Sequence, residues 1–262
     1  MNSPMKWLVT AGNTVTHVDK VRCITNVFSG RTGATIAVQA AARGHSVVLL
    51  TSHPEVMDAP PFGRNPGAFP LDVDRFLTFD ELARLLRDHV AEGGFDAVVH
   101  CAAVGDYECA GVFAPDPGTV FDPVTGTWTH KDTGPPALVD RQAGKVKSNE
   151  PELWLRLVQT PKLVDQIRQP WGFQGLLVKF KLEVDMSDDQ LLDVAEASRK
   201  HSAADLMVAN TLEGMATHAF IGPIAGGYER VARAELAQRL VAEVERRAGS
   251  PHGSPSANQP ST

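Results

Sequence analysis

The 262 residues, 43% of them apolar, are enough for one large or two small domains with a buried core. The net charge is −6, so the chain lacks the general positive charge of proteins that bind nucleic acid or anionic membranes. The three cysteines form no CxxC pair, and no apolar run has the length of a membrane span or a signal peptide, so we expect a cytoplasmic protein without a disulfide framework.

The first hundred residues alternate between strand and helix patterns. Residues 5–10 are a short apolar run that ends in a polar turn, which predicts a buried strand. Residues 33–43 are alanine-rich and stop at Gly44, and the β-branched run at 46–51 follows, so the order continues as helix and strand. Residues 80–90 carry leucines at helical spacing behind Asp80, a candidate cap, and precede a strand pattern at 97–101.

The second half contains a long segment without periodicity. Residues 110–144 are rich in glycine, proline, threonine and aspartate, which indicates a flap loop or disorder. Order returns at 152–158. After it we predict helices at 161–169, 187–201 and 232–248, strands at 175–183 and 205–209, and a disordered polar tail at 249–262.

The alternation of strands and helices predicts the fold. A mostly parallel sheet with helices on both faces, a doubly wound α/β fold, accounts for it, and the long Gly/Pro-rich segment becomes a flap. Both halves of the chain are needed to complete one sheet, so we predict a single domain at residues 1–248. Ligands on such a fold bind at the carboxyl ends of the strands.

Two small-residue turns, at residues 10–14 and 26–33, lie between the first strand and the first helix. The start of a helix offers free N–H groups and the positive end of a dipole, so the second turn can hold phosphate. The alternative is that these glycines only satisfy backbone geometry. A nicotinamide oxidoreductase is disfavoured, because no G-x-G-x-x-G follows the first strand, and neither Tyr107 nor Tyr228 has a lysine four residues later.

Several motifs in order resemble one family. The segments TAGNT at 10–14, DKVR at 19–22 and NVFSGRTG at 26–33 resemble the opening of the phosphopantothenate–cysteine ligases, also called phosphopantothenoylcysteine synthetases. AAVGDY at 102–107, KVK at 145–147, Thr160-Pro161, FKLE at 180–183 and Ala209-Asn210 continue the match. The resemblance implies a Rossmann-like fold and a stand-alone synthetase without the decarboxylase domain that many bacterial members carry.

Family resemblance also implies a reaction. Phosphopantothenate is activated by CTP or ATP with Mg²⁺, pyrophosphate is released, and cysteine attacks the acyl-nucleotide. The implied partners are these small molecules, with no nucleic acid or membrane, and a second copy of the chain, because family members are dimers whose partner helps close the site. Residues that bind the metal are not identified.

Ten residues receive roles from the resemblance. Asn26 holds the acyl group, because its amide can donate to the carbonyl oxygen and accept from an amine. Lys145 supplies positive charge to the reacting anions. Nucleotide binding is assigned to Gly12, Ser29, Gly30, Gly33, Asp106, Lys147, Phe180 and Asn210. Five of them have a structural alternative: an Asx turn for Asn26, a solvated surface for Lys145 and Lys147, a helix or turn cap for Asp106 and core packing for Phe180.

Departures from the family pattern leave an alternative function open. Phe28 replaces a serine, Asn13 a glycine and Thr211 the aspartate of the bacterial motif. Ser198 and Ser202 stand where bacterial CTP users carry lysines, so the choice between CTP and ATP stays open. A nucleotide-binding regulatory homologue without ligase activity is the alternative hypothesis.

Overall fold

The computed structural model describes residues 3–58, 71–132 and 134–249. Of the tail predicted at 249–262, all but Gly249 lies outside the described residues. The α-helices of the described part are α1 (Arg31–Ala42), α2 (Phe79–Glu92), α3 (Leu163–Arg168), α4 (Asp188–His201) and α5 (Leu236–Ala248). None of them is long and apolar enough to cross a membrane.

The described part of the chain forms fifteen strands. They are β1 (Lys6–Ala11), β2 (Val15–His17), β3 (Cys23–Thr25), β4 (Ser46–Thr51), β5 (Leu71–Arg75), β6 (Ala97–His100), β7 (Tyr107–Pro115), β8 (Thr119–Asp122), β9 (Thr127–His130), β10 (Leu138–Asp140), β11 (Trp154–Gln159), β12 (Leu176–Glu183), β13 (Leu206–Thr211), β14 (His218–Ile224) and β15 (Gly227–Ala232).

Eight of these strands form the central sheet. Six neighbours run parallel in the order β5-β4-β1-β6-β12-β13, and β14 and β15 continue the sheet antiparallel at one edge. Numbered by chain order, the parallel strands follow 3-2-1-4-5-6, the order of dinucleotide-binding folds, whose ligand crevice lies where the winding reverses. Here that crevice lies beyond the carboxyl ends of β1 and β6.

Apolar side chains cover both faces of the sheet. On one face α1 and α5 pack through residues such as Ile36 and Leu240 against Val9. On the other, α2 and α3 pack through Leu82 and Ile167, and α4 packs against β13. Because helices cover both faces of the sheet, its central strands are apolar throughout and do not alternate between apolar and polar residues. The predicted doubly wound parallel sheet is confirmed.

Two predictions about element ends are wrong. α2 is capped by Thr78, which accepts from the Glu81 backbone N–H in a capping box, and Asp80 lies inside the helix. The terminal helix begins at Leu236, because residues 227–232 form β15, which pairs with β14. Neither of these edge strands was predicted.

The segment predicted as a flap loop contains strands. β7 pairs with β10 and β11 in a three-stranded antiparallel sheet, and β8 and β9 form a hairpin. Phe121, Trp128 and Trp154 pack together, with ring centroids 4.6 to 5.1 Å apart. The prediction of a structureless segment at 110–144 is therefore wrong. Cross-strand aromatic packing stabilises short strands there, and the local composition does not indicate them.

Candidate active site

Close backbone packing forms the floor of the site between β1 and α1. Gly30 precedes α1 with φ 79°, and a Cβ there would lie 2.2 Å from the Gly12 nitrogen. A Cβ on Gly33 would lie 2.7 Å from the Ala11 Cβ. No side chain caps the start of α1, so the first N–H groups of the helix remain free. The glycines allow these groups to lie close to the end of β1, where an anion can approach them.

A first cavity of about 380 Å³ opens above this floor. Arg31 and Arg233 supply positive charge to its wall, and Arg233 donates a hydrogen bond to the Thr32 hydroxyl. Within the described ranges, no carboxylate pairs with Arg233. The Cys101 thiol also lines the cavity; burial raises its pKa to about 12, so the thiol stays neutral. This cavity combines helix N–H groups with two guanidinium groups, which suits phosphate.

A second cavity of about 490 Å³ lies beside the first. Six residues line both: Phe28, Ala102, Ala103, Phe180, Lys181 and Leu182. Asn26 and Asp106 line only the second, and the Asp106 carboxylate accepts from the Lys162 ammonium. The two cavities therefore form one cleft with shared walls at the carboxyl edge of the sheet.

Asn26 is anchored at the end of β6. Its amide Nδ2 donates to the Ala103 carbonyl at 3.1 Å, which fixes the orientation of the side chain, since only the nitrogen can donate there. The second N–H and the oxygen Oδ1 have no hydrogen-bond partner among the described residues. One donor and one acceptor thus remain for a ligand in the second cavity.

Asn13 ties the Asn26 turn to the end of β4. Its amide nitrogen donates to the Asn26 carbonyl, and its Oδ1 accepts from Ser52 Oγ at 3.1 Å and from His53 Nε2 at 3.0 Å. The other ring nitrogen of His53 lies 2.7 Å from Glu55. That hydrogen bond is the main reason why the pKa of Glu55 lies below its usual value. The residue that departs from the family glycine therefore connects two loops of the site.

The chain is similar to known proteins over most of its length. Residues 3–114 match the family described as the DNA/pantothenate metabolism flavoprotein C-terminal domain. The coenzyme A biosynthesis bifunctional protein CoaBC of Thermococcus kodakarensis is 30% identical over 246 residues, which are 91% of this chain and 50% of that protein. The chain is similar to this family over residues 3–114 and to the relative over most of its own length.

A second relative agrees with the first. The Escherichia coli protein of the same name is 27% identical over 203 residues, or 78% of this chain and 40% of that protein. The chain thus spans half or less of the length of these curated relatives. The resemblance predicted from the sequence motifs is confirmed.

Solved structures share the fold. The DNA/pantothenate metabolism flavoprotein from Streptococcus pneumoniae has a TM-score of 0.70 and 24% identity and covers 93% of this chain and 99% of its own. A Cab2 mutant in complex with phosphopantothenate-cysteine has a TM-score of 0.63 and 18% identity, with 93% of this chain and 86% of that chain covered. At these identities the likeness establishes the fold.

Most residues named from the family motifs meet in the cleft. Gly12, Ser29, Gly30 and Asn210 line the first cavity, Asn26 and Asp106 the second, and Phe180 both. Gly33 lines neither cavity, and its backbone packs against Ala11 in the floor of the site. Four further polar residues line the cavities, and nothing in the local sequence distinguishes them from surface or core residues: Arg31, Arg233, His100 and Lys179.

Lys145 and Lys147 lie outside both cavities of the single chain. Both are exposed, and Val146 between them is anchored on the DKVR turn. The Val146 N–H donates to Asp19, and its carbonyl accepts from Arg22. Hydrogen bonds from Arg22 are also the main reason why the pKa of Asp19 lies far below its usual value. Two separate family motifs therefore contact each other away from the cleft.

Proposed function

We propose that the protein joins phosphopantothenate to cysteine through an acyl-nucleotide and releases pyrophosphate. The observation that carries this proposal is the cleft itself: a phosphate-binding floor at the start of α1 adjoins the free amide groups of Asn26. Similar proteins, a coenzyme A biosynthesis bifunctional protein and a Cab2 mutant bound to phosphopantothenate-cysteine, support the same substrates.

In the first step the phosphopantothenate carboxylate attacks the α-phosphate of the nucleotide, and pyrophosphate leaves with the electron pair. This step brings anions together, so positive charge must be fixed in advance. Arg31, Arg233 and the N–H groups of α1 supply it at the first cavity. No cluster of three potential ligands for a metal exists among the described residues. Asp106 can give one oxygen to a Mg²⁺ that the triphosphate holds, and the ion would neutralise phosphate charge.

In the second step the cysteine amine attacks the acyl carbon. The new C–N bond forms as the bond to the phosphate oxygen breaks, the nucleoside monophosphate takes the electron pair, and the amine proton passes to water. The free N–H of Asn26 is suited to donate to the developing oxyanion, while Oδ1 accepts from the incoming amine. A neutral amide can do both without titrating.

Lys145 and Lys147 can supply charge to the reaction only if they reach a cleft. Their positions outside the cavities of one chain require either movement of the segment or its delivery to the site of a second copy. We therefore infer a homodimer, in which the Lys145 segment of one chain serves the cleft of the other.

The cytoplasmic location of the protein is a prediction from the sequence.

The decisive assay combines protein, phosphopantothenate, cysteine and Mg²⁺ with each nucleoside triphosphate. We expect pyrophosphate and the amide product with CTP or ATP, and only when phosphopantothenate is present. Inorganic phosphate in place of pyrophosphate would mean an acyl-phosphate route and would refute the proposal. The regulatory alternative, suggested by Phe28 in both cavity walls, requires tight nucleotide binding with neither product.

Asn26→Asp tests the role of the amide. A carboxylate beside the developing oxyanion should slow amide formation by roughly 10²-fold while pyrophosphate release is affected less, so acyl-nucleotide should accumulate and be detectable by mass spectrometry. Gln238→Glu, the same amide-to-acid change on an exposed position of α5, serves as the control and should leave both steps unchanged. Normal amide formation in Asn26→Asp would limit Asn26 to shaping its turn.

A further inference from the structure

A network of hydrogen bonds runs from the protein surface to the Asn26 turn. It begins at Glu55, in the 3₁₀ turn Pro54–Asp58 that follows β4, and continues through the His53 ring. From there it passes through the Asn13 side chain to the carbonyl of Asn26. The Glu55 side chain is 65% exposed and that of His53 32%, whereas Asn13 is buried. The network therefore links a titratable pair in contact with solvent to the residue whose amide lines the second cavity.

Hydrogen-bond partners fix the orientation of the Asn13 amide. The Asn26 carbonyl can only accept, so the Asn13 nitrogen faces it and Oδ1 points towards His53. Oδ1 also accepts from the Ser52 hydroxyl at 3.1 Å, whose oxygen in turn accepts the Asn13 backbone N–H at 2.9 Å. Because Oδ1 is an acceptor, His53 Nε2, 3.0 Å away, must carry a proton to bond with it.

The other nitrogen of the His53 ring faces a second acceptor. Nδ1 lies 2.7 Å from Glu55 Oε1. The hydrogen bond from His53, helped by the charge of Arg75 on β5, lowers the pKa of Glu55, so at neutral pH this carboxylate is ionised and can only accept. Asn13 beyond β1 and Ser52 beyond β4 bring no charge to the pair. Both hydrogen bonds of the ring can therefore form together only when it carries two protons, as the imidazolium.

Loss of one proton from the ring must break one of these two bonds. Histidine is the side chain whose charge ordinarily changes between pH 5 and 8. A hydrogen bond to a carboxylate is about twice as strong as one between neutral groups, so the neutral ring keeps its proton on Nδ1, towards Glu55. Nε2 then presents a lone pair to Asn13 Oδ1, and two acceptors repel each other. The Asn13 side chain thereby loses the contact that holds it against the Asn26 carbonyl.

We propose that His53 is a pH-sensitive positioning residue, which holds the Asn26 turn through Asn13 when its ring is protonated and releases the turn when the ring is neutral. Glu55 determines this behaviour, because it keeps the remaining proton of the neutral ring on its own side. This inference rests on the proposed function, in which Asn26 donates to the oxyanion of amide formation. That oxyanion exists only in the second step, so a poorly placed amide slows amide formation and leaves nucleotide binding unchanged.

The rate of amide formation in a single turnover, measured by rapid quench from pH 6 to pH 9, tests this proposal. His53→Leu lacks both ring nitrogens. At pH 6 the wild type should be several-fold faster than this variant, and the ratio of the two rates should fall towards one by pH 9. The ratio cancels the titration of the cysteine amine, which is common to both proteins. The KM for nucleotide should stay within about twofold throughout.

Glu55→Gln should have the opposite effect at high pH. A glutamine amide can donate to Nδ1, so the neutral ring keeps its proton on Nε2 and continues to hold Asn13. The variant should match the wild type at pH 6 and exceed it several-fold at pH 9, whereas loss of a merely structural pair would only lower the rate. His89→Gln serves as the control: it removes another histidine–carboxylate pair, 2.8 Å from Asp74 on β5, and should leave the rate unchanged.

A double-mutant cycle shows whether His53 acts through Asn13. In the Asn13→Gly background there is no side chain for the ring to hold, so adding His53→Leu should cost nothing further in amide formation. An additive loss would mean that the imidazole acts on the site by another route. Circular dichroism and thermal melts establish that each variant is folded.

Side-chain ¹⁵N–¹H spectra of the free protein test the network without turnover. The His53 ring, assigned by its loss in His53→Leu, should carry protons on both nitrogens at low pH and retain only the Nδ1 proton at high pH. The Asn13 amide, assigned by its loss in Asn13→Gly, should shift in the same transition. In His53→Leu that shift of the Asn13 amide should disappear.

Three results would overturn the inference: equal rates for the wild type and folded His53→Leu at every pH, a Glu55→Gln rate below that of the wild type at pH 9, or an Asn13 amide that does not follow the titration of His53. Failure of the proposed function is distinguishable from these. Coupled His53 and Asn13 transitions in a protein that forms no amide product would sustain the network and refute the ligase. Amide formation with independent transitions would do the reverse.

Discussion

Acidification should destabilise this fold through His100 before the carboxylates are protonated. The pKa of a histidine is about 6.5 in an unfolded chain and about 4 at this position, because burial disfavours the charged ring. Between these values the unfolded state binds the proton and the folded state does not. Stability is therefore fully present above pH 6.5 and is lost as the pH falls towards 4.

The size of the loss follows from the two pKa values. Between pH 8 and pH 5 the free energy of unfolding should fall by about 2 kcal/mol through His100 alone. The carboxyl groups with lowered pKa, such as Glu245, lose their contribution only below about pH 4.5. Above about pH 4.5, the contribution of His100 to the free energy of unfolding is therefore separated from that of these carboxyl groups.

Urea unfolding of wild type and His100→Gln at pH 8, 6.5 and 5 measures this loss. Glutamine stays neutral throughout, so the variant should lose about 2 kcal/mol less than the wild type between pH 8 and pH 5, whatever its stability at pH 8. The other histidines are common to both proteins and cancel in the difference. Parallel pH profiles would refute the assignment of a buried, neutral imidazole.

Three other perturbations follow from the geometry. Gly30→Ala should cost at least 2 to 3 kcal/mol more than Gly44→Ala in denaturant unfolding, because both positions have positive φ but only the Cβ at 30 meets backbone; equal costs would contradict the close packing of the floor. Glu245→Gln should lose about 1 to 3 kcal/mol at pH 7 by breaking the ion pair with Arg43 and weakening the hydrogen bond with His45. Because the pKa of Glu245 is lowered, the deficit should shrink as the pH falls below 4.5, and a deficit independent of pH would argue against the ion pair. Asn13→Gly should lower kcat several-fold with the KM for nucleotide nearly unchanged, because it frees the Asn26 turn; an effect on KM alone would show that Asn13 does not position Asn26.

Local sequence patterns were sufficient to predict the main strands and helices of the fold. The apolar runs that became β1 and β4, and the helical spacing of α2 and α4, are determined by neighbouring residues, so the sequence predicted them to within a few residues. The family motifs also carry short-range information: the glycines that allow α1 to approach β1 are within one strand-to-helix connection. From these the doubly wound sheet and the family followed.

Only the tertiary structure decided the parts that depend on distant contacts. The strands within 110–144 are stabilised by aromatic rings brought together from three segments, and β14 and β15 by pairing with β13 and each other. Lys145 and Lys147, which the motifs assigned to the site, lie outside its cavities because the segment is anchored on Asp19. His100 received no role from the sequence, because its hydrogen-bond partner Thr10 is 90 residues away and its neighbour Lys179 comes from another strand. The pairing of His100 with Lys179 is a property of the sheet register, and no local sequence pattern encodes it.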